Sequence, residues 1–214
     1  MRVKAKICGL HRAEDARHAV EAGADFLGVV LDHGPRQASD SEIRGVVAAA
    51  AGLPVLAVVV HSSLAEVLRR RDRTGFAGVQ LHGDQDDDEA AAFRREGLVV
   101  WRTARLAAES DTPDPAGLAA HADAVLVEPW VAHAAGGGGR ALDVARAARM
   151  RERLGACAMV LAGGLTAASV GAAASSVQPY AVDVSSGVER APGIKDPALV
   201  ARFLEALRGI DSDG

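Results

Sequence analysis

Residues 3–31 read VKAKICGLHRAEDARHAVEAGADFLGVVL, and this stretch indicates how the whole chain is built. It begins and ends with short apolar runs, at 3–8 and 26–31, which are typical of buried strands. Between the runs, apolar residues that include Ala16 and Ala19 recur at helical spacing and fall on one face. A helix between two such strands predicts a βαβ unit with parallel strands and a right-handed crossover.

The same alternation of strand and helix continues to the end of the chain. Capping boxes are predicted at Ser39 with Glu42 and at Ser63 with Glu66, and Asp196 precedes the proline that begins the last predicted helix. Six further apolar runs predict strands, at residues 55–60, 78–81, 98–102, 124–128, 159–162 and 180–184.

Eight strand–helix repeats of about 27 residues each suit a compact α/β barrel. We therefore predict one (β/α)8 TIM barrel, as a single domain over residues 1–214. The alternative is an open Rossmann-like sheet, which is less favoured because no G-x-G-x-x-G sequence follows the first strand and opens a helix. The glycine-rich segment 132–140 is predicted to be the most flexible part of the chain.

Composition narrows the class of protein. The 214 residues carry 24 Lys and Arg against 28 Asp and Glu, a net charge of −4, which disfavours nucleic acid or an anionic membrane as partner. With 49% hydrophobic but only 3% aromatic residues, the core must consist of Ala, Val and Leu. Two cysteines cannot form a disulfide framework, and no apolar run is long enough to span a bilayer. We expect a cytoplasmic protein without a structural metal.

Side chains at the carboxyl ends of barrel strands converge on one mouth, where such barrels carry their active sites. Cys8 ends the first predicted strand and has the same inward parity as Lys6, whose ammonium would favour the thiolate. Glu128 ends the sixth strand before Pro129 and Trp130, and apolar surroundings there would raise its pKa and keep it protonated. Cys8 is a candidate base and Glu128 a candidate acid; a small buried thiol and a solvated carboxylate are the alternatives.

Glycines and serines follow the last two strands. Gly163 and Gly164 come after the seventh strand, and Ser186 and Gly187 after the eighth. In barrels of this kind, backbone amides at these places commonly hold a phosphate group. Two such pairs on adjacent strand ends predict a phosphate site.

Other polar residues at the predicted strand ends are Arg36, His61, His82, Arg102 and Asp183. We expect His82 to pack or to form hydrogen bonds, and we assign it no proton transfer. No spacing of Cys, His, Asp or Glu predicts a metal site.

With these residues the chain resembles the phosphoribosylanthranilate isomerase family. The resemblance runs from Lys6 to about Leu207 and rests on ordered motifs, including KICGL at 6–10, Pro35-Arg36, VQLHG at 79–83, LAGGL at 161–165 and VDVSSGVE at 182–189.

The resemblance implies a cofactor-free Amadori rearrangement in tryptophan biosynthesis. N-(5-phosphoribosyl)anthranilate would become 1-(2-carboxyphenylamino)-1-deoxyribulose 5-phosphate, with Cys8 as general base and Glu128 as general acid. Arg36 matches the arginine that meets the anthranilate carboxylate. Lys6, His82 and Asp183 fall at the substrate, and Gly163, Gly164, Ser186 and Gly187 at the phosphate. The partner implied is a small phosphosugar, and the chain would be a monomer or a weak homodimer.

The sequence departs from the family pattern mainly near the aryl end of the substrate. Glu128 replaces an aspartate, Gly34 a serine, and Gly138 a serine or threonine. Two alternatives therefore stay open: a diverged aminoaldose-phosphate isomerase acting on another N-aryl ribosylamine, and an inactive phosphosugar-binding barrel. The related isomerase of histidine synthesis fits less well because it has aspartate where Cys8 stands.

Overall fold

The structure is a computed structural model that describes residues 2–106, 114–130 and 143–212. Within these residues eight parallel strands close into a barrel, because β1 pairs with both β2 and β8. The predicted barrel is confirmed and the open sheet is excluded. The strands are β1 (Lys4–Ile7), β2 (Phe26–Val30), β3 (Val55–Val59), β4 (Gly78–Leu81), β5 (Val99–Leu106), β6 (Ala124–Pro129), β7 (Ala158–Leu161) and β8 (Ala181–Val184).

One helix follows each strand, and a short antiparallel hairpin of β9 (Glu189–Ala191) and β10 (Ile194–Lys195) stands between β8 and the last helix. The helices are α1 (Ala13–Ala22), α2 (Asp40–Ala49), α3 (Leu64–Thr74), α4 (Asp87–Arg95), α5 (Pro115–Ala120), α6 (Val144–Arg153), α7 (Val170–Val177) and α8 (Pro197–Arg208). None of these helices has the length and apolarity needed to cross a membrane.

The helix starts follow local side-chain chemistry. Ser39 and Glu42 form the complete predicted capping box, in which each side chain binds the backbone amide of the other. At α3 only half of the predicted box is present, since Ser63 accepts from the Glu66 amide without the return bond. Asp196 caps α8 through two amides of its first turn, as the sequence indicated.

Strand β5 differs most from its prediction. The sequence indicated a strand ending at Arg102, whereas β5 continues to Leu106 and pairs with β6 as far as Pro129. This extension brings Thr103 and Arg105 to the mouth of the barrel. The prediction stopped too early because it followed the apolar run and ended where that run meets a charged residue.

The core has two layers, because parallel barrel strands are covered on both faces. The larger layer lies between the strands and the helices, and the smaller fills the barrel with residues such as Leu56, Trp101, Leu126 and Val160. Alanine, valine and leucine dominate both layers, as the composition requires. Above the inner layer the inward positions become polar, and this change marks the site.

The glycine-rich segment 132–140, which includes Gly138, lies outside the described residues. The prediction that this segment is flexible is therefore untested.

Candidate active site

Lys6 forms the centre of a buried polar group at the carboxyl end of β1. Its ammonium donates to Gln80 Oε1 and to Asp183 Oδ1, both at 2.8 Å. The lysine side chain is fully buried, and its strand partner in β8 is Asp183 itself. A buried ammonium needs such partners to offset its lost hydration. The predicted substrate residues Lys6 and Asp183 thus come together as an ion pair beside Cys8.

Gly28 provides the space for this group. A β-carbon at this position of β2 would lie 2.8 Å from Cys8 Sγ and 2.9 Å from Lys6 Cε. Both distances are shorter than a side chain tolerates, so the cysteine and the lysine fit only because residue 28 has no side chain. The close packing of thiol and ammonium is therefore built into neighbouring strands.

The thiol of Cys8 is more protonated than the sequence suggested. Burial raises the pKa of Cys8, and the positive charge of Lys6 opposes this effect only in part. Burial lowers the pKa of Lys6, but the charges of Asp183 and Cys8 outweigh it, and the net direction is upward. The sequence predicted that the ammonium lowers the pKa of Cys8, and Lys6 does act in that direction. The net shift of the Cys8 pKa is nevertheless upward, because the effect of burial is larger.

Glu128 lies at the end of β6 among basic groups. Its Oε1 is 3.2 Å from His82 Nε2 and 3.4 Å from Arg105 Nε, and Arg105 also donates to the carbonyl of His82. The apolar surroundings that the sequence predicted for Glu128 are therefore not found. Arg105 was missed because the predicted β5 ended before it, although Thr103 and Arg105 continue the inward alternation of Trp101.

His82 connects Glu128 to the lysine side of the mouth. Lys6 can only donate, so Gln80 accepts with its oxygen and directs its amide nitrogen toward His82 Nδ1, 3.3 Å away. Thr103 Oγ1 is 3.1 Å from the same nitrogen. In the neutral ring Nδ1 is then the acceptor, and the proton lies on Nε2, which faces Glu128 without an aligned hydrogen bond. The hydrogen bonds of His82 thus run to Gln80 and Thr103, and the ring meets the candidate acid only through the contact of Nε2.

Arg36 follows β2 and already binds a carboxylate of the protein. Its Nε and Nη2 donate to the two oxygens of Glu189, at 2.8 and 2.7 Å. Lys195 Nζ lies 2.7 Å from Glu189 Oε1. Burial alone would raise the pKa of Glu189, but Arg36 and Lys195 lower it to about 2. Burial lowers the pKa of Lys195, and Glu189 opposes this in part.

The predicted phosphate residues lie on two neighbouring turns at the mouth. Gly163 and Gly164 have positive φ, and a β-carbon on Gly163 would lie 2.1 Å from Pro129 Cδ. Ser186 and Gly187 begin a short 3-10 turn. These turns place backbone amides at the ends of β7 and β8, where a phosphate dianion can accept from them.

Two candidates lie away from the site. Arg102 points out of the barrel, where its guanidinium binds Asp87 and the carbonyls of Gln85 and Gly117. His61 is exposed, and its ring stacks edge-on against His33 at 5.5 Å between centroids. Arg102 ended one predicted strand and His61 followed another, but alternation along the strands directs neither into the mouth. In the part of the chain that the structure describes, no three His, Cys, Asp or Glu side chains are grouped to hold a metal ion.

Comparison with known proteins agrees with this geometry. The sequence model described as N-(5'phosphoribosyl)anthranilate (PRA) isomerase matches residues 5–206. The N-(5'-phosphoribosyl)anthranilate isomerase of Pseudomonas fluorescens is 37% identical over 213 residues, which is 96% of this chain and 96% of the relative.

Solved structures agree as well. The phosphoribosyl anthranilate isomerase of Thermotoga maritima superposes with a TM-score of 0.87 at 29% identity, covering 97% of this chain and 99% of that one. A phosphoribosyl anthranilate isomerase in complex with reduced 1-(o-carboxyphenylamino)-1-deoxyribulose 5-phosphate gives a TM-score of 0.84 at 28% identity, with 97% and 99% covered. The chain belongs to the family of N-(5'-phosphoribosyl)anthranilate isomerases.

Proposed function

We propose that this chain isomerises N-(5'-phosphoribosyl)anthranilate to 1-(2-carboxyphenylamino)-1-deoxyribulose 5-phosphate by an Amadori rearrangement without a cofactor. The observation that carries the proposal is the placement of Cys8 and Glu128. Both face the mouth of one closed barrel, at the ends of β1 and β6, and they are only 6% and 8% exposed. The reaction needs one base and one acid in a site largely closed to water.

The first step opens the ribose ring. Glu128 donates a proton to the ring oxygen as its bond to C1 breaks, and the nitrogen lone pair forms the C1=N bond of an iminium ion. This step needs a protonated carboxyl at Glu128. His82 and Arg105 hold that side chain through contacts at 3.2 and 3.4 Å.

The second step moves hydrogen from C2. The Cys8 thiolate takes the C2 proton, and the electron pair of that bond forms the C1=C2 bond and neutralises the iminium nitrogen. The resulting enol-amine takes up a proton at C1 and loses one from its C2 hydroxyl, which gives the aminoketose. Lys6 beside Cys8 stabilises the thiolate, although burial opposes its formation.

The two ends of the substrate meet different chemistry. We place the phosphate at Gly163, Gly164, Ser186 and Gly187, where backbone amides suit a dianion. Arg36 faces the carboxylate of the aromatic ring, since a guanidinium matches a planar carboxylate. We place the ribose near Asp183, because Asp183 binds Lys6 beside the candidate base Cys8.

The test is turnover of substrate generated in situ, followed by the loss of anthranilate-type fluorescence. We expect Cys8→Ala and Glu128→Gln to abolish turnover while each still binds the reduced product analogue. Cys157→Ala is the matched control, because Cys157 lies on the far side of the strands from the mouth and is expected to leave turnover unchanged. A folded protein that binds the analogue without any turnover would refute the isomerase and favour the inactive phosphosugar-binding barrel.

Four narrower statements stay predictions: a cytoplasmic location, a place in tryptophan biosynthesis, a monomer or weak homodimer without nucleic acid or membrane partners, and a single domain over residues 1–214.

A further inference from the structure

A second buried charge cluster stands at the mouth, and the reaction steps above do not use it. We call it the Glu189 cluster; it consists of Arg36, Glu189 and Lys195. Glu189 accepts from Arg36 Nε and Nη2 and from Lys195 Nζ, all within 2.8 Å, and from the Gly193 amide at 3.2 Å. Lys195 also donates to the carbonyl of Ser185.

The cluster is buried, yet it is not neutral. The side chains of Glu189 and Lys195 are 5% and 1% exposed, and that of Arg36 is 18% exposed. Two cations around one carboxylate leave one excess positive charge. Burying charge is costly, so a buried excess is expected where an anion completes it.

The cluster lies next to the reacting groups. A β-carbon on Gly9 would meet Arg36 Cδ at 2.7 Å and Ser185 Oγ at 2.9 Å, so the arginine stem crosses the ends of β1 and β8. The charge of Lys195 also acts on the Cys8 thiol. An anion that completes the cluster would therefore be part of a molecule bound at the mouth.

The hydrogen-bond geometry shows which edge of the Arg36 guanidinium remains available to a ligand. A guanidinium has five N–H donors, and Glu189 takes one on Nε and one on Nη2. Two donors on Nη1 and one on Nη2 face away from Glu189. Their edge is a second planar fork that can bind another carboxylate through two parallel hydrogen bonds.

We propose that Glu189 is a positioning residue for substrate recognition: it holds Arg36 by the Nε–Nη2 edge and so presents the Nη1–Nη2 edge to the carboxylate on the aromatic ring of the substrate. Lys195 keeps the cluster positive, so that the second carboxylate is attracted rather than repelled by the first. This inference rests on the proposed function, because it takes the substrate's aromatic carboxylate from there.

The test compares two ligands. One is reduced 1-(o-carboxyphenylamino)-1-deoxyribulose 5-phosphate, and the other is the same compound with a phenyl ring that lacks the carboxylate. We expect the wild-type protein to prefer the carboxylated ligand. Glu189→Gln loses the bidentate hold on Arg36 and is expected to reduce this preference about tenfold or more, since charge-assisted hydrogen bonds of this kind carry effects of that size. Affinity for the phenyl compound should change less than twofold, and the loss in kcat/KM should fall mainly on KM.

Controls separate positioning from general damage. Glu205→Gln makes the same change of charge at an exposed position of α8 and should leave the preference intact. Glu189→Asp keeps the charge but is one methylene shorter, so we expect it to lose part of the preference. In an Arg36→Lys background, which has no fork to orient, Glu189→Gln should reduce the preference no further.

Several outcomes would overturn the inference. An unchanged preference in folded Glu189→Gln and Glu189→Asp would remove the positioning role and leave the isomerase proposal standing. If Glu189→Gln lost the same affinity for both ligands, Glu189 would have only a structural role. If Glu189→Gln bound the carboxylated ligand more tightly than the wild type does, Glu189 would compete with the substrate for Arg36. A wild-type protein without any preference would overturn the inference together with the assignment of Arg36 in the proposed function.

Discussion

Gly28 approaches Cys8 and Lys6 more closely than a residue with a side chain can, which makes Gly28→Ala a direct test of the site. Leu27 pairs with Ile7, so residue 28 lies beside Cys8 on the neighbouring strand. The new methyl group would lie 2.8 Å from the sulfur and 3.0 Å from the lysine nitrogen.

The displacement that this methyl group forces follows from these distances. To reach an ordinary contact of 3.4 Å or more, the sulfur must move by at least roughly 0.6 Å. Lys6 cannot move freely, because two hydrogen bonds of 2.8 Å hold its ammonium. A misplacement of about 1 Å in a reacting group costs roughly 100-fold in rate. Overpacking costs about 1–3 kcal/mol, and the removal of a strand glycine returns roughly 0.5–1 kcal/mol.

We therefore expect a large loss of kcat with a small loss of stability. Turnover by fluorescence should fall about tenfold to 100-fold, and urea unfolding should show a decrease of up to about 2.5 kcal/mol. Gly45→Ala is the matched control: its methyl group would lie 3.7 Å from Ala13 in a helix, so stability should rise by about 0.5–1 kcal/mol with normal turnover. Full activity in folded Gly28→Ala would refute the placement of the base.

Four further predictions follow from the same contacts. Because burial raises the pKa of Cys8, alkylation of its thiolate by iodoacetamide in the Cys157→Ala protein should quicken roughly tenfold per pH unit between about pH 6 and 8; a rate that levels off within this range would mean that Lys6 outweighs burial. Glu128→Asp withdraws the carboxyl from His82 and Arg105, so turnover should fall about tenfold or more, whereas a gain would mean that the longer side chain is a defect. Gly187→Ala would bring a methyl group within 2.0 Å of the Leu165 carbonyl, so affinity for inorganic phosphate should fall about tenfold in titration calorimetry; unchanged affinity would place the phosphate elsewhere. The pKa of Glu189 is lowered from 4.5 to about 2, so the stability that its carboxylate contributes is fully present above pH 4.5 and is lost as the pH falls through about 2. Urea unfolding measured above pH 4.5 and near pH 2 should show that the wild type loses up to about 3 kcal/mol more of its free energy of unfolding than Glu189→Gln does. Equal losses in the two proteins would contradict the ion cluster.

The barrel was predictable because its signal is local and repeated. Each strand is an apolar run, six of the eight helices begin with a capping side chain, and the eight repeats leave few topologies. The candidate residues Cys8, Glu128 and Asp183 could be found for a related reason, since inward parity at a strand end needs only the strand's position. These features depend on residues a few positions apart.

The partners of these residues could not be predicted in the same way. Arg36 and Glu189 are 153 residues apart, and they meet only when the closed barrel brings the β9–β10 hairpin next to the loop after β2. Arg102 and Arg105 are both arginines near one strand end, but one points outward and the other into the mouth. Alternation gives Arg102 and Arg105 opposite parity, but the sequence does not show that the strand continues as far as Arg105.

Under the proposed function, the charges around the mouth would select one orientation of the substrate. Lys6 is paired with Asp183, and Arg105 lies against Glu128 and donates to the carbonyl of His82. The Glu189 cluster holds two cations around one carboxylate, and the remaining edge of Arg36 suits a planar carboxylate of the substrate. The phosphate turns offer neutral backbone amides, which suit a dianion with several acceptor oxygens. A substrate bound in reverse would place each anion against the less suitable chemistry, so the reacting C1 and C2 atoms reach Glu128 and Cys8 in one order.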